Sequence, residues 1–384
     1  MNKIRPIAIH LPQFHPFPEN DEWWGKGFTE WTNVTKAKPL FEGHYQPHLP
    51  ADLGFYDLRL EEARLAQEAL AKEYGIYGFC YYHYWFNGKT LMHEPIKRKL
   101  QNSDEDLPFM LCWANENWSR AWDGKDKDLL IEQHYNLEDD REHIKFLLPI
   151  FKDKRYIRID NKPVFVVYKS ADLPHPKETI RIWRDEAAKE GLELYICRMD
   201  RWNTPNGQDI LDLGFDAAID FQPLSNNLRN YIKTKRVDNE KKKEKQFKNT
   251  LLRKVINKIR FELSKLDSPQ KNDQQKIEQM IDYAEYVDYD LQNLDIDYKR
   301  FPCVTPSWDN ASRRKFNATV FVNSSPDQFG KWVAGKKNNL QNFDSPEENL
   351  LFINAWNEWA EGNHLEPDQK YGRQYLEAFY KAIK

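Results

Sequence analysis

Cysteine is scarce: the 384-residue chain holds 4, and no two stand at metal-ligand spacing. Cys80, Cys112, Cys197 and Cys303 each sit in an apolar, strand-like run. They read as buried reduced thiols, which fits a cytoplasmic protein and excludes a disulfide framework. Long apolar runs are missing too. Nothing approaches the ~20 residues that a membrane-spanning helix needs. The opening Met1-Asn2-Lys3-Ile4-Arg5-Pro6 enters a strand directly, without the charged start and apolar run of a signal peptide. Charge of one sign is also lacking: the net charge is −3, so the whole molecule is not built for nucleic acid. No Gly-x-Gly-x-x-Gly turn follows the first strand, which argues against a dinucleotide fold. There is no internal repeat and no sign of an independent second domain, so residues 1–384 are expected to form one catalytic domain.

Aromatic residues are plentiful, at 14% of the chain, with 13 Trp and 19 Tyr. A carbohydrate site is one use for such a surplus, and a heavily aromatic core is another. Eight short strand-like segments can be counted: Pro6–Leu11, Ile76–Tyr82, Phe109–Trp113, Val164–Tyr168, Leu194–Arg198, Ala217–Phe221, Cys303–Thr305 and Leu350–Ile353. Most are β-branched or aromatic runs without clean alternation, as buried parallel strands should be. Helical patterns separate most of them, Leu60–Glu73 being the strongest. Strand–helix alternation of this kind implies a (β/α)8 TIM barrel of the α/β class.

The chemistry is expected after the eighth strand, in Trp356-Asn357-Glu358-Trp359-Ala360-Glu361-Gly362. On a helical turn, residues three apart share a face with β-carbons about 5–6 Å apart. Glycoside hydrolysis needs two carboxyl groups flanking one bond, which makes Glu358 and Glu361 the candidate catalytic pair. Trp356 and Trp359 could wall them and raise a carboxyl pKa. Other polar and aromatic residues cluster just after the strands, at the face where barrel active sites lie. The candidate substrate contacts are His10, Tyr82, His83, Trp85, Trp113, Asn115, Glu116, Trp118, Trp122, Tyr168, Asp200, Trp308, Trp356 and Asn357. Among them Trp85, Trp113, Trp118, Trp122 and Trp308 are expected to line a groove. Glu116 is an alternative acid, and Glu116 or Asp309 an alternative carboxylate nucleophile.

Two stretches interrupt the pattern. The first loop, from Pro12 to about Leu58, is long enough to wall a cleft. It contains His44 and His48 at i, i+4 spacing, but Pro47 intervenes and no acidic partner completes a metal site, so no metal is expected. The second stretch, residues 225–300 between strands six and seven, reads as a helical insertion. Its Arg229–Lys265 part holds 14 Lys/Arg against 4 Asp/Glu. Phe247, Leu251, Val255, Ile259 and Leu263 recur every four residues in a basic amphipathic helix, Phe247–Leu266. It either packs on the barrel or makes peripheral contact with an anionic membrane. A second helix is expected over Gln274–Tyr286.

The signature Asn357-Glu358-Trp359-Ala360-Glu361-Gly362 resembles glycoside hydrolase family 99. Ala8–Pro16, Trp23–Trp31 and Trp113–Trp122 resemble the related WbsX-type domain of bacterial surface-polysaccharide loci. The likeness covers most of the chain apart from residues 225–300. It implies a (β/α)8 barrel and retaining, endo-acting cleavage of α-linked mannose-type chains, without metal or other cofactor. The sugar's 2-hydroxyl would then be the nucleophile, with Glu358 as base and Glu361 as acid/base. A glycosyltransferase of lipopolysaccharide or capsule assembly is the alternative, and a non-catalytic carbohydrate-binding barrel the third reading. The partner in each case is a polysaccharide or oligosaccharide.

Overall fold

The computed structural model describes residues 4–120, 125–202, 209–247, 276–294, 296–314, 316–341, 343 and 345–384. Its centre is the expected (β/α)8 barrel. The strands are Arg5–His10, Gly78–Phe86, Phe109–Trp113, Lys162–Val167, Tyr195–Asp200, Ala217–Asp220, a split seventh strand, and Leu350–Ile353. Each pairs in parallel with its neighbours, and the first closes on the last with Arg5 opposite Leu350 and Ala8 opposite Ile353. The seventh strand is split because Pro302 has no N–H to donate. Arg300–Phe301 pairs with the sixth strand and Cys303–Val304 with the eighth, while the Pro302 carbonyl accepts from the Phe352 N–H at 2.8 Å.

Burial on both faces explains why these strands read as continuous apolar runs: Leu350–Ile353 and Gly78–Phe86 are buried throughout. All four cysteines are free and buried in this core. The outer helices include Glu61–Glu73, Glu94–Gln101, Leu137–Phe151, Pro176–Lys189, Pro326–Asn338 and Gln374–Ile383. No helix among the described residues is long and apolar enough to cross a membrane.

The first loop carries two short helices, Pro18–Trp24 and Glu30–Lys36. The insertion departs from expectation. Helix Asn226–Phe247 is present, but Lys276–Asp282 is a strand, and the following helix is Tyr283–Gln292. Ile277, Met280 and Ile281 have spacings that suit a helix. Parallel pairing with the β-branched strand Phe316–Val322 overrides that preference. Asp282 is the true helix cap, its Oδ1 accepting from the Glu285 N–H at 3.0 Å. The apolar stripe Leu251–Leu266 lies outside the described residues.

Candidate active site

At the carboxyl ends of the strands lies a cavity of about 590 Å³, within the size range typical of ligand pockets. Glu358 and Glu361 line it. Glu358 ends a two-residue strand paired with Asn363–His364, and Trp359–Glu361 form a single 3-10 turn. Gly362 makes that turn possible. Its φ is +56°, and an added Cβ would stand 2.9 Å from the Asp309 Cβ. The Asp309 N–H donates to the Glu361 carbonyl at 2.6 Å, and the Ser312 hydroxyl to the Ala360 carbonyl at 2.6 Å. Segment 309–313 is thereby fastened along the motif.

That fastening delivers Arg313, which the sequence reading missed. Its Nη1 donates to Glu361 Oε1 at 2.8 Å, and its Nη2 to Glu358 Oε2 at 3.2 Å and to Glu30 Oε1 at 3.3 Å. One guanidinium therefore spans both candidate carboxyls. Burial pushes the Glu358 carboxyl well above its ordinary range, the Glu361 charge adds to this, and Arg313 opposes it. Burial also raises Glu361, with Arg313 opposing. Glu361 is the more exposed side chain and has the shorter contact to Arg313. The surroundings therefore oppose ionisation more strongly at Glu358 than at Glu361.

Aromatic walls come from Trp24, Tyr82, Tyr84, Trp118, Tyr168, Trp202, Phe221 and Trp308. Glu116 lines the cavity and meets Lys169 Nζ at 2.9 Å, and Arg201 lies 4.3 Å over the Tyr168 ring. Of the expected contacts, Tyr82, Glu116, Trp118, Tyr168 and Trp308 therefore reach the cavity.

The others that the structure describes serve the scaffold. Tyr82 and Tyr84 face the cavity, so strand alternation turns His83 and Trp85 to the opposite face. There His83 Nε2 meets His143 Nε2 at 2.9 Å and the Trp85 indole donates to Asp139 at 3.0 Å. Burial lowers the His83 pKa to about 3. Trp113 is buried against His143 and Trp183. His10, also lowered to about 3 by burial, is held by Gln67 at 3.2 Å. Asn115 clamps the Lys169 backbone, donating to its carbonyl at 2.9 Å and accepting from its N–H at 2.7 Å. Asp200 is buried between Arg198 and Tyr298. Asn357 caps the first strand by accepting from the Leu11 N–H at 2.7 Å. Trp356 is buried against Phe79, and the Trp359 indole donates to Glu366 at 2.7 Å, so neither walls the carboxyls. Trp122 lies outside the described residues. The expected groove thus loses Trp85 and Trp113 and gains Trp24 and Trp202.

Asp309 is not placed as a nucleophile: its Oδ2 takes His44 at 2.6 Å and Gln46 at 2.7 Å, anchoring the first loop. His48 does find an acidic neighbour, since His48, His364 and Asp368 bring donor atoms within 4.8 Å of one another. Internal hydrogen bonds account for the group. His48 Nδ1 meets His364 Nε2 at 2.9 Å, and Asp368 Oδ1 accepts from the Lys370 and Tyr371 N–H groups at 3.0 and 2.6 Å.

A family model described as "Glycosyltransferase WbsX" matches residues 6–379. Two curated relatives, each described as "Uncharacterized protein WxcX", come from two strains of Xanthomonas campestris pv. campestris. Each is 38% identical over 380 residues, covering 98% of this chain and 49% of the relative. The chain thus spans about half the length of the curated relatives it matches. Among solved structures, a "Glycoside hydrolase-like protein" aligns with a TM-score of 0.58 at 12% identity, over 100% of this chain and 95% of that one. The GH99 endo-alpha-mannosidase from Bacteroides thetaiotaomicron aligns with a TM-score of 0.53 at 11% identity, over 99% and 95%. At these identities the likeness is one of fold.

Proposed function

The chain belongs to the WbsX glycosyltransferase family, and from that premise we propose that it is a retaining, endo-acting glycoside hydrolase of α-linked, mannose-type chains, with Glu358 and Glu361 as its working carboxyls. The observation that carries this reading is the pair itself, bridged by Arg313 and opening on a cavity walled by aromatic rings. Glycosidic bond cleavage needs one carboxyl to protonate the leaving oxygen and another to act on the far side of the sugar. Two coupled carboxyls in a desolvated site lose their protons in two separate steps, and between those steps one is the acid and the other the base. Flat indole and phenol faces suit the apolar faces of sugar rings.

In the sugar-assisted route, one carboxylate takes the 2-hydroxyl proton as that oxygen attacks the anomeric carbon. The other carboxylic acid gives its proton to the departing oxygen. The motif's resemblance makes Glu358 the base, whereas its deeper burial favours Glu358 as the acid.

The family description supports a second reading, a glycosyltransferase that uses the same carboxyls. Incubation with a panel of α-linked oligosaccharides, with product anomers read by NMR, separates the readings. Hydrolysis with retained configuration is expected. Turnover only with a nucleotide-sugar would make the protein a transferase, and binding without turnover would leave a carbohydrate-binding barrel.

A further inference from the structure

We propose that Glu30, supplied by the first loop, is a positioning residue for the Glu358–Glu361 pair: a third carboxylate that braces their turn and keeps a shared proton on it. The inference rests on the reading of that pair as the working carboxyls. Glu30 opens the short helix Glu30–Lys36 and is fully buried. Its Oε1 accepts from the Ala360 N–H at 2.8 Å, and Ala360 lies between the two glutamates. The same oxygen meets Arg313 Nη2 at 3.3 Å, and that nitrogen also serves Glu358. Glu30 Oε2 is buried without a hydrogen-bond partner among the described atoms.

Three carboxylates thus share one guanidinium. A single cation does not neutralise three anions where water is excluded, and a like charge disfavours the ionisation of its neighbours. The Glu30 charge acts on Glu358 and Glu361 in the same, raising direction. The other charged groups act both ways: Arg313 favours ionisation of both carboxyls, and at Glu361 Arg314 also favours it while Glu116 opposes it. Tyr82, Tyr84 and Tyr168 also face the pair, but burial holds their phenols neutral.

A purely structural Glu30 would need only an oxygen to accept from Ala360. Glu30→Gln keeps that oxygen and loses the charge, whereas Glu30→Asp keeps the charge on a shorter side chain. Carboxyl-labelled glutamate followed by 13C NMR, with signals assigned through E358Q and E361Q, reads the pair without any substrate. In E30Q both apparent pKa values should fall by about one unit, the lower end of the effect of a nearby charge. The alkaline limb of the pH–rate profile should move down by the same amount, while E30D stays near wild type. A wild-type titration in E30Q, or an E30Q chain that does not fold, reduces Glu30 to a structural support and overturns the proposal. If the wild-type protein turns over no glycan, the functional reading fails while the titration still decides the role of Glu30.

Discussion

Glu358 and Glu361 differ in surroundings as well as position. Glu358 is the more deeply buried, and Glu361 lies closer to the guanidinium. Glutamine at either position keeps the shape and removes one half of the acid–base chemistry. Each variant should lose about 10²–10⁴-fold in kcat while retaining substrate binding. A substrate with a good leaving group needs little protonation, so it should rescue cleavage only in the variant lacking the acid. If the roles implied by the motif hold, that variant is E361Q, and if the deeper burial of Glu358 sets the roles, it is E358Q. Rescue of both or of neither would refute a division of labour between them. A 2-deoxy substrate adds a further test, because rapid cleavage of it by the wild-type enzyme would remove the 2-hydroxyl route.

The elements around the site are held by buried polar contacts whose removal has a defined sign. Lys336, on helix Pro326–Asn338, reaches Asp220 at the end of the sixth strand at 3.0 Å and Asp290 on helix Tyr283–Gln292 at 2.7 Å. Lys336→Met removes the cation shared by two buried carboxylates, although Asp220 keeps Arg300 at 3.7 Å, and should cost about 3 kcal/mol in urea unfolding, the lower end for breaking a buried ion pair. A loss near zero would mean that the insertion is held by its apolar contacts alone. Asp140 joins helices Leu137–Phe151 and Pro176–Lys189 by accepting from the Thr179 hydroxyl at 2.6 Å. Burial raises its pKa from 3.8 to about 6. The folded state therefore binds the proton more tightly than the unfolded state, and this stability is lost as pH rises from about 4 to about 6. Asp140→Asn still offers an oxygen to Thr179 and cannot ionise. It should match wild type near pH 4 and be more stable by roughly 2 kcal/mol at pH 8. Equal melting temperatures at pH 8 would contradict the shift.

Over the whole molecule, charge is distributed unevenly. Arg229–Lys265 carries 14 basic and 4 acidic residues in a chain whose net charge is −3. A basic segment of this kind should draw the protein to anionic vesicles at low salt and release it as salt rises, since screening acts over about 8–10 Å at 0.1–0.15 M. Co-sedimentation with phosphatidylserine vesicles, and none with neutral ones, is the expected result. If the anionic vesicles bind nothing, the segment is a scaffold element.

Much of this architecture is written in local patterns. The eight apolar runs and the long Leu60–Glu73 helix specify a parallel barrel, because burial on both faces demands apolar residues at every position. The motif Asn357–Gly362 places two carboxyls together by chain geometry alone, with Gly362 supplying the left-handed turn. Which side of a strand faces the cavity is not written locally. Tyr82-His83-Tyr84-Trp85 offers a sugar-binding type at each position, and only the closed sheet turns the two tyrosines inward and hands His83 and Trp85 to the outer helix. Arg313 and Glu30 were invisible for a related reason. Each lies far along the chain from the motif: Arg313 is brought to it by segment 309–313, fastened to the Glu361 and Ala360 carbonyls, and Glu30 by the first loop, which His44 and Gln46 anchor to Asp309. Sequence determined the fold and the candidate carboxyl pair, since both depend on neighbours in the chain. Tertiary structure alone decided the walls of the cavity and the charges that set the pair's protonation, since both depend on contacts across the barrel.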